Sequence, residues 1–548
     1  MTIWILGALL LQTLVVNAKA GSFDPLESTI ESVRAAVIDK SATCRDVVSS
    51  FLDRIEAFNP TINAIVSLNP DALTAADEID KGLAAGKSPG KLLCVPILLK
   101  DNYDAVGMNT TGSCVALAGN RPSVDSPTVG AFKKEGAIII GKTNLHEMAL
   151  EGLSVSSLGG QTLNAYDQTR TPGGSSGGTG AAIATSLAII GTGTDTVNSL
   201  RSPASANNLV SIRPSRGLLS RTGILPISYT QDNIGPIARS IPDLAVALTV
   251  MASVGVDEAD NTTLLVPPEY WGIDYTSNLN NGSLKGLKIG ILDGFWNHVA
   301  SDETSPVNDA LDSAIEFLKS QGAEIRNITD VAYNATNLGA KLDVQRYEFK
   351  ETLNQYFSSP SLSGDRPKTL DEVYEKGNFL VIPAQYSFVN DSRISSVANA
   401  SYATALKGID ELKVILNGTF RYHELDAVIY PEQKNLVVKL GSSTQAGRNG
   451  ILSAMTGYPV VTVPVGFSQP SKDAPIGVPI GMEIMGLPFS DAKLLNIANH
   501  FTRLNPMRKT PSFANSAARV GSWGSVPSLR PNTTNIPSGY PLGVLYST

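Results

Sequence analysis

The stretch Thr171–Ser205, TPGGSSGGTGAAIATSLAIIGTGTDTVNSLRSPAS, constrains this chain more than any other. Two glycine pairs flank Ser175 and Ser176, and the small residues of Gly180–Ser186 suit a helix packed closely on its neighbours. Leu187–Ile190 reads as a short apolar strand opening into a loop, Gly191–Asp195, that delivers Ser199. Glycine lets backbone N–H groups converge on a ligand with no Cβ in the way, so two facing loops, each carrying a serine, fit this composition. Tight turns in a compact α/β protein would use the same residues. A flexible Gly-Ser linker would not carry the apolar filling from Ala181 to Ile190.

The rest of the chain supplies an α/β frame. Residues Asp24–Leu52 show apolar positions at helical spacing, and Leu73–Leu83 reads as a further helix. The run Leu92–Leu99 is apolar, too short for an ordinary helix, and ends abruptly in Lys100-Asp101-Asn102. A second strand, Ala137–Ile140, ends in Gly141-Lys142-Thr143-Asn144. Further strands are expected at Leu287–Leu292, Ala427–Tyr430, Val460–Val465 and Ile480–Met485, with helices at Val307–Leu318 and Asp491–Phe501. The alternation predicts one large α/β domain with a central mixed, mostly parallel sheet flanked by helices. Ligands in such sheets sit beyond the carboxyl ends of strands, where Lys100, Asn144 and the Ser199 loop fall. Residues from about 330 to 425 read as an exposed helical cap, and the tail 511–548 as irregular surface wrapping.

Residues 1–20 resemble a signal peptide, with an apolar core Ile3–Val16 and small residues at Ala18 and Ala20. The apolar stretch is shorter than the ~20 residues of a membrane-spanning helix. Nine N-x-S/T sequons, at Asn109, Asn261, Asn281, Asn327, Asn334, Asn390, Asn399, Asn417 and Asn532, point with that leader to a secreted eukaryotic glycoprotein, free of the membrane after cleavage. A net charge of -7 argues against a general nucleic-acid partner. Of the three cysteines, Cys94 and Cys114 bracket Lys100 and are a candidate pair; three buried free thiols are the other reading. Oligomeric state is not legible here.

A nucleophilic serine needs a base and an oxyanion site. Gly173–Gly177 formally matches G-x-S-x-G, but no buried strand leads into it, so a nucleophile elbow is excluded. Of the four histidines, only His146, beside Glu147, is an alternative base. No H-x-x-x-H or paired C-x-x-C spacing suggests zinc, and nothing suggests a nucleotide or flavin, so no cofactor is expected. Lys100 is the better base: at a desolvated strand end, burial disfavours the ammonium and frees a neutral amine. A plain salt bridge with Asp101 or another carboxylate is the competing reading.

Several segments, in order, resemble the amidase signature enzymes: Pro96–Asn102, Thr110–Ser113, Gly141–Glu147, Thr171–Gly178, Gly193–Pro203, Gln231–Ser240, Gly457–Pro459 and Val463–Gly466. The likeness spans roughly residues 25–505 and points to a secreted, fungal-type member occupying residues 21–510. It implies that Ser199 attacks an amide carbonyl, that Ser175, on a cis peptide bond, relays protons, and that Lys100 is the base. It further implies an oxyanion hole from the N–H groups of Thr196, Val197, Asn198 and Ser199. Asp195 and Arg201 would fix that loop, and Ser176 would orient Lys100 or the loop. Most members carry two glycines where this chain has Val197 and Asn198, and a β-branched residue is costly if the turn needs φ > 0. The leading expectation is therefore a secreted amidohydrolase acting on a small-molecule or peptide amide. An acyl-transferring or amide-forming enzyme on the same scaffold, and a catalytically silent binding glycoprotein, are the alternatives.

Overall fold

Eleven strands form one sheet through the middle of the molecule. The computed structural model describes residues 23–516 and 523–543, so the leader expected at 1–20 lies outside them. In chain order the strands are β1 (Ile65–Leu68), β2 (Pro96–Lys100), β3 (Ile138–Thr143), β4 (Ile190–Asp195), β5 (Val210–Arg213) and β6 (Asn233–Ala238). They continue as β7 (Lys288–Leu292), β8 (Glu324–Ile328), β9 (Ala427–Pro431), β10 (Val460–Phe467) and β11 (Pro479–Met485). Their order across the sheet is β1-β3-β2-β4-β6-β5-β10-β11-β9-β7-β8. The sheet is mixed. Parallel pairing holds β3, β2 and β4 together on one side and β9, β7 and β8 on the other, with antiparallel pairs between the two blocks. Every residue of β2, β3 and β4 is buried, as expected of strands covered on both faces.

Three elements depart from the sequence reading. The helix expected over Asp24–Leu52 is two, Ile30–Ile38 and Cys44–Ile62. The second starts where the Thr43 hydroxyl accepts the Asp46 N–H and the Asp46 carboxylate accepts the Thr43 N–H, a reciprocal cap that overrides the periodicity. The segment Gly191–Asp195, read as a loop, is strand β4. Its glycines serve close packing. A Cβ on Gly191 would lie 2.2 Å from Thr179 Cγ2, and one on Gly193 would lie 2.6 Å from Leu200 Cδ2. The small-residue helix Gly177–Ala184 therefore lies directly on the strand. The disulfide is also different. Cys94 pairs with Cys44 (Cα–Cα 5.3 Å), not with Cys114, which is buried and free. The N-terminus of helix Cys44–Ile62 meets the turn before β2, whereas Cys114 packs among residues of the 345–389 region.

Between residues 335 and 422 the chain forms helices Ala335–Leu342, Gln345–Phe357, Leu370–Lys376, Tyr386–Ile394 and Ala400–Tyr422. These have buried faces of their own. Phe349, Leu353, Phe357 and Val389 pack with Leu145, Met148 and Ala149, just beyond the end of β3. Beyond residue 511 the described chain holds two short 3-10 turns and clasps the body through Asn532 and Asn535, which bond Asn63 and Gln161. None of the nine sequon asparagines is buried: Asn334 and Asn390 are partly exposed and the other seven are exposed. No helix among the described residues is long and apolar enough to cross a membrane.

Candidate active site

Lys100 is the last residue of β2 and is fully buried. Its backbone N–H donates to Thr192 Oγ1 (3.0 Å), while Nζ lies 2.7 Å from Ser175 Oγ and 2.8 Å from Thr194 Oγ1. Burial pulls the lysine down to about 7, against the opposing fields of Asp195 and Asp232. Asp101 does not pair with it; its carboxylate faces the equally buried Lys142 at 3.4 Å. The plain salt-bridge reading of Lys100 fails on that geometry.

Ser175 follows a cis peptide bond from Gly174, the geometry expected of it. Its carbonyl accepts the His146 N–H at 3.0 Å. Gly173, with φ of 69°, passes so close to Ser202 that a Cβ would sit 2.7 Å from that residue's carbonyl oxygen. Ser176 opens helix Gly177–Ala184 and holds the Ser199 loop, not Lys100: its N–H donates to Ser199 O and its Oγ to Thr194 O, each at 3.4 Å. Among the described residues no hydrogen bond joins the Ser175 and Ser199 hydroxyls. Ser199 is 9% exposed and borders a cavity of about 210 Å³.

A buried charge network shapes the Ser199 loop. Asp195 accepts the Leu200 N–H (3.0 Å), Arg201 Nε (3.0 Å) and Arg213 Nη1 (2.8 Å), and the two guanidiniums hold its carboxyl down at about 2. Arg201 makes a bidentate contact with Glu483 on β11 (2.8 Å to each oxygen) and reaches Gly450 O (3.0 Å) and Val197 O. Neither Val197 nor Asn198 has a positive φ, so a side chain at either position carries no backbone strain. Asn198 uses its side chain as an anchor, Nδ2 donating to Glu432 Oε1 at 3.0 Å. Glu432 is itself pushed up to about 8 by burial and by neighbouring Glu483. Among the described residues the N–H groups of Thr196, Val197, Asn198 and Ser199 have no protein acceptor. That leaves the four expected donors for an anionic oxygen in the adjoining cavity.

His146, the alternative base, is buried with its Nε2 3.4 Å from Gln385 Oε1 and is pushed down to about 4. Among the described residues no hydrogen bond brings it to either serine hydroxyl. A larger cavity of about 670 Å³, walled in part by Asp232, Leu225 and Tyr356, adjoins the Ser199 cavity through shared residues Ala149 and Thr196.

The family model described as Amidase matches residues 46–495. The chain belongs to the amidase signature family. The native peptide amidase of Stenotrophomonas maltophilia superposes with a TM-score of 0.76 at 30% identity, over 89% of this chain and 99% of that one. A glutamyl-tRNA(Gln) amidotransferase subunit of Clostridium acetobutylicum is 30% identical over 86% of this chain and 98% of its own. The mandelamide hydrolase of Pseudomonas putida is 28% identical over 90% and 94%. The protein is thus an amidase, a hydrolase of amide C–N bonds, on the amidase signature fold.

In this family member the structure joins to the expected site several residues that the sequence did not single out. Thr194 is the second partner of the lysine, Asp232 accepts the Thr196 hydroxyl at 2.6 Å, and Glu432 and Glu483 brace the Ser199 loop. Thr192 and Thr194 could have been found from alternation: two apart on a strand, they share the face turned to Lys100, while Gly191 and Gly193 share the other. The two glutamates, more than 230 residues downstream, carry no local signal.

Proposed function

We propose that the protein is an exported serine amidohydrolase using Ser199 as nucleophile, Ser175 as proton relay and Lys100 as base. The observation that carries this reading is the fully buried Lys100 amine 2.7 Å from Ser175 Oγ, with its pKa drawn down to about 7. Half the groups are then neutral at pH 7 and able to accept a proton. Thr194 Oγ1 lies within reach of both Lys100 Nζ (2.8 Å) and Asn102 Nδ2 (3.1 Å). It therefore acts as acceptor to the amine and leaves the nitrogen lone pair for the Ser175 proton.

Substrate in the cavity closes the remaining link between the two hydroxyls. Ser199 Oγ attacks the carbonyl carbon; its proton passes to Ser175 Oγ as the Ser175 proton passes to Lys100 Nζ. The carbonyl oxygen becomes an anion received by the unpaired N–H groups of Thr196, Val197, Asn198 and Ser199. The C–N bond then breaks, the amine nitrogen taking a proton from Lys100 through Ser175. Water hydrolyses the acyl-Ser199 ester by the same route in reverse roles, releasing the acid and restoring all three residues. The intact donor loop at Val197 and Asn198 supports catalysis over a silent binding role.

Export is supported by the Cys44–Cys94 disulfide, which suits an oxidising compartment, and by sequons that all reach solvent. A fluorophosphonate probe should label the wild type and not Ser199→Ala, and Lys100→Ala should lose labelling at neutral pH. Undiminished labelling of Lys100→Ala refutes the base assignment.

A further inference from the structure

We propose that the cavity over Ser199 selects small amides carrying an ammonium group near the scissile carbonyl, and that Asp343 receives that ammonium. The inference rests on the reading of Ser199 as nucleophile and adds the substrate class.

The charge on the cavity wall is unbalanced. Its ionisable side chains are Glu151, Asp343 and Arg448, two carboxylates against one guanidinium. The guanidinium is already engaged: Arg448 Nη1 lies 3.0 Å from Glu151 Oε1, and Glu151 is 7% exposed. Asp343 has neutral hydrogen-bond partners. Its Oδ1 accepts the Gln345 backbone N–H (3.0 Å) and Gln345 Nε2 (3.0 Å), and its Oδ2 accepts the same Nε2 at 2.8 Å. It also borders a neighbouring outer cavity that carries Lys341 and Arg346. Among the described residues no lysine or arginine forms an ion pair with it. Burial pushes its carboxyl above the usual carboxylate range, against the Gln345 hydrogen bonds and the opposing field of Arg448. A carboxylate in such a place gains most from a cation brought to it by the ligand.

Size points the same way. The chamber holding Ser199 and Asp343 is itself only about 210 Å³, and anything longer than a short acyl group extends into the adjoining cavity of about 670 Å³. Ser199 and Asp343 share this one chamber, so an acyl group that reaches both is short. An unblocked α-amino-acid amide meets both demands, presenting its ammonium one carbon from the carbonyl that Ser199 attacks.

The test compares leucinamide with 4-methylpentanamide, the same skeleton without the ammonium, on the full-length secreted protein at pH 7, where an α-amino group is mostly protonated. Wild type should favour leucinamide by about 10- to 100-fold in kcat/KM, the range of a charge-assisted hydrogen bond. Asp343→Asn should bring that ratio close to one, and Asp343→Glu should keep it above one. Fluorophosphonate labelling of Ser199 in each variant reports that the site is still assembled. A wild-type ratio at or below one, or a ratio unchanged in Asp343→Asn, overturns the proposal. So does a protein that labels at Ser199 yet turns over neither amide. Absence of both labelling and turnover instead overturns the nucleophile assignment beneath it.

Discussion

On the proposed mechanism Lys100 sets the pH dependence of the reaction: its neutral form is the base, and burial holds its pKa at about 7. Protonation below that value removes the base, so kcat/KM should fall about tenfold per pH unit on the acid side and level off above it. A pH–rate profile flat from 5 to 8 would contradict this. Thr194→Val removes the acceptor that orients the amine and should lower kcat by about tenfold or more with little change in KM, measured by steady-state kinetics. Asn198→Ala leaves the buried Glu432 carboxyl without its 3.0 Å donor and should cost about 1–3 kcal/mol, read from a urea unfolding curve. At this scale the sequence was informative where one residue type at a strand end dictates chemistry, as for Lys100. It was silent on Glu432, whose role comes from a partner 234 residues away.

The decisive element is the strand β4 with the helix Gly177–Ala184 lying on it. Alternating glycines and threonines read as a loop because glycine is a poor strand former, and yet each glycine answers a contact. Gly191→Ala would place a methyl 2.2 Å from Thr179 Cγ2, both positions being wholly buried. The expected cost is about 1–3 kcal/mol, or misfolding, and a melting temperature equal to wild type would show that the helix can retreat. The strand also carries Thr192 and Thr194 to Lys100, so displacement by the new methyl should lower turnover along with stability. Apolar runs gave away β2, β3, β10 and β11 to within a few residues. In β4 the apolar signal was absent, and the glycine–threonine alternation left in its place reads equally as a loop.

For the whole molecule, the disulfide ties the N-terminal helices to the sheet. Cys44 and Cys94 are separated by 50 residues, and closing a loop of that length is worth about 4 kcal/mol in the chain-entropy account. Cys44→Ser should therefore lower the unfolding midpoint clearly, while Cys114→Ser, at a buried free thiol, should change it less and leave no mixed-disulfide products. The choice between these partners was not legible because it depends on which helix end meets the turn before β2. The export reading predicts that endoglycosidase treatment of protein recovered from a eukaryotic secretion host shifts the electrophoretic band, since the sequons reach solvent. The order of motifs foretold the central frame and Lys100–Ser175; the buried ion network of Asp195, Arg201, Arg213 and Glu483 joins distant segments and emerges only once they meet.

The chamber beneath helix Tyr386–Ile394 has walls of two origins: Ser199 and Thr196 come from the sheet side, Asp343, Gln385 and Phe388 from the helices above. Among the described residues this roof shares no hydrogen bond with Lys100, so it can be exchanged while the proposed proton wire under it stays as it is. Transplanting residues 335–394 from one relative to another should therefore carry over which amides are accepted and leave the acid limb near pH 7 where it was.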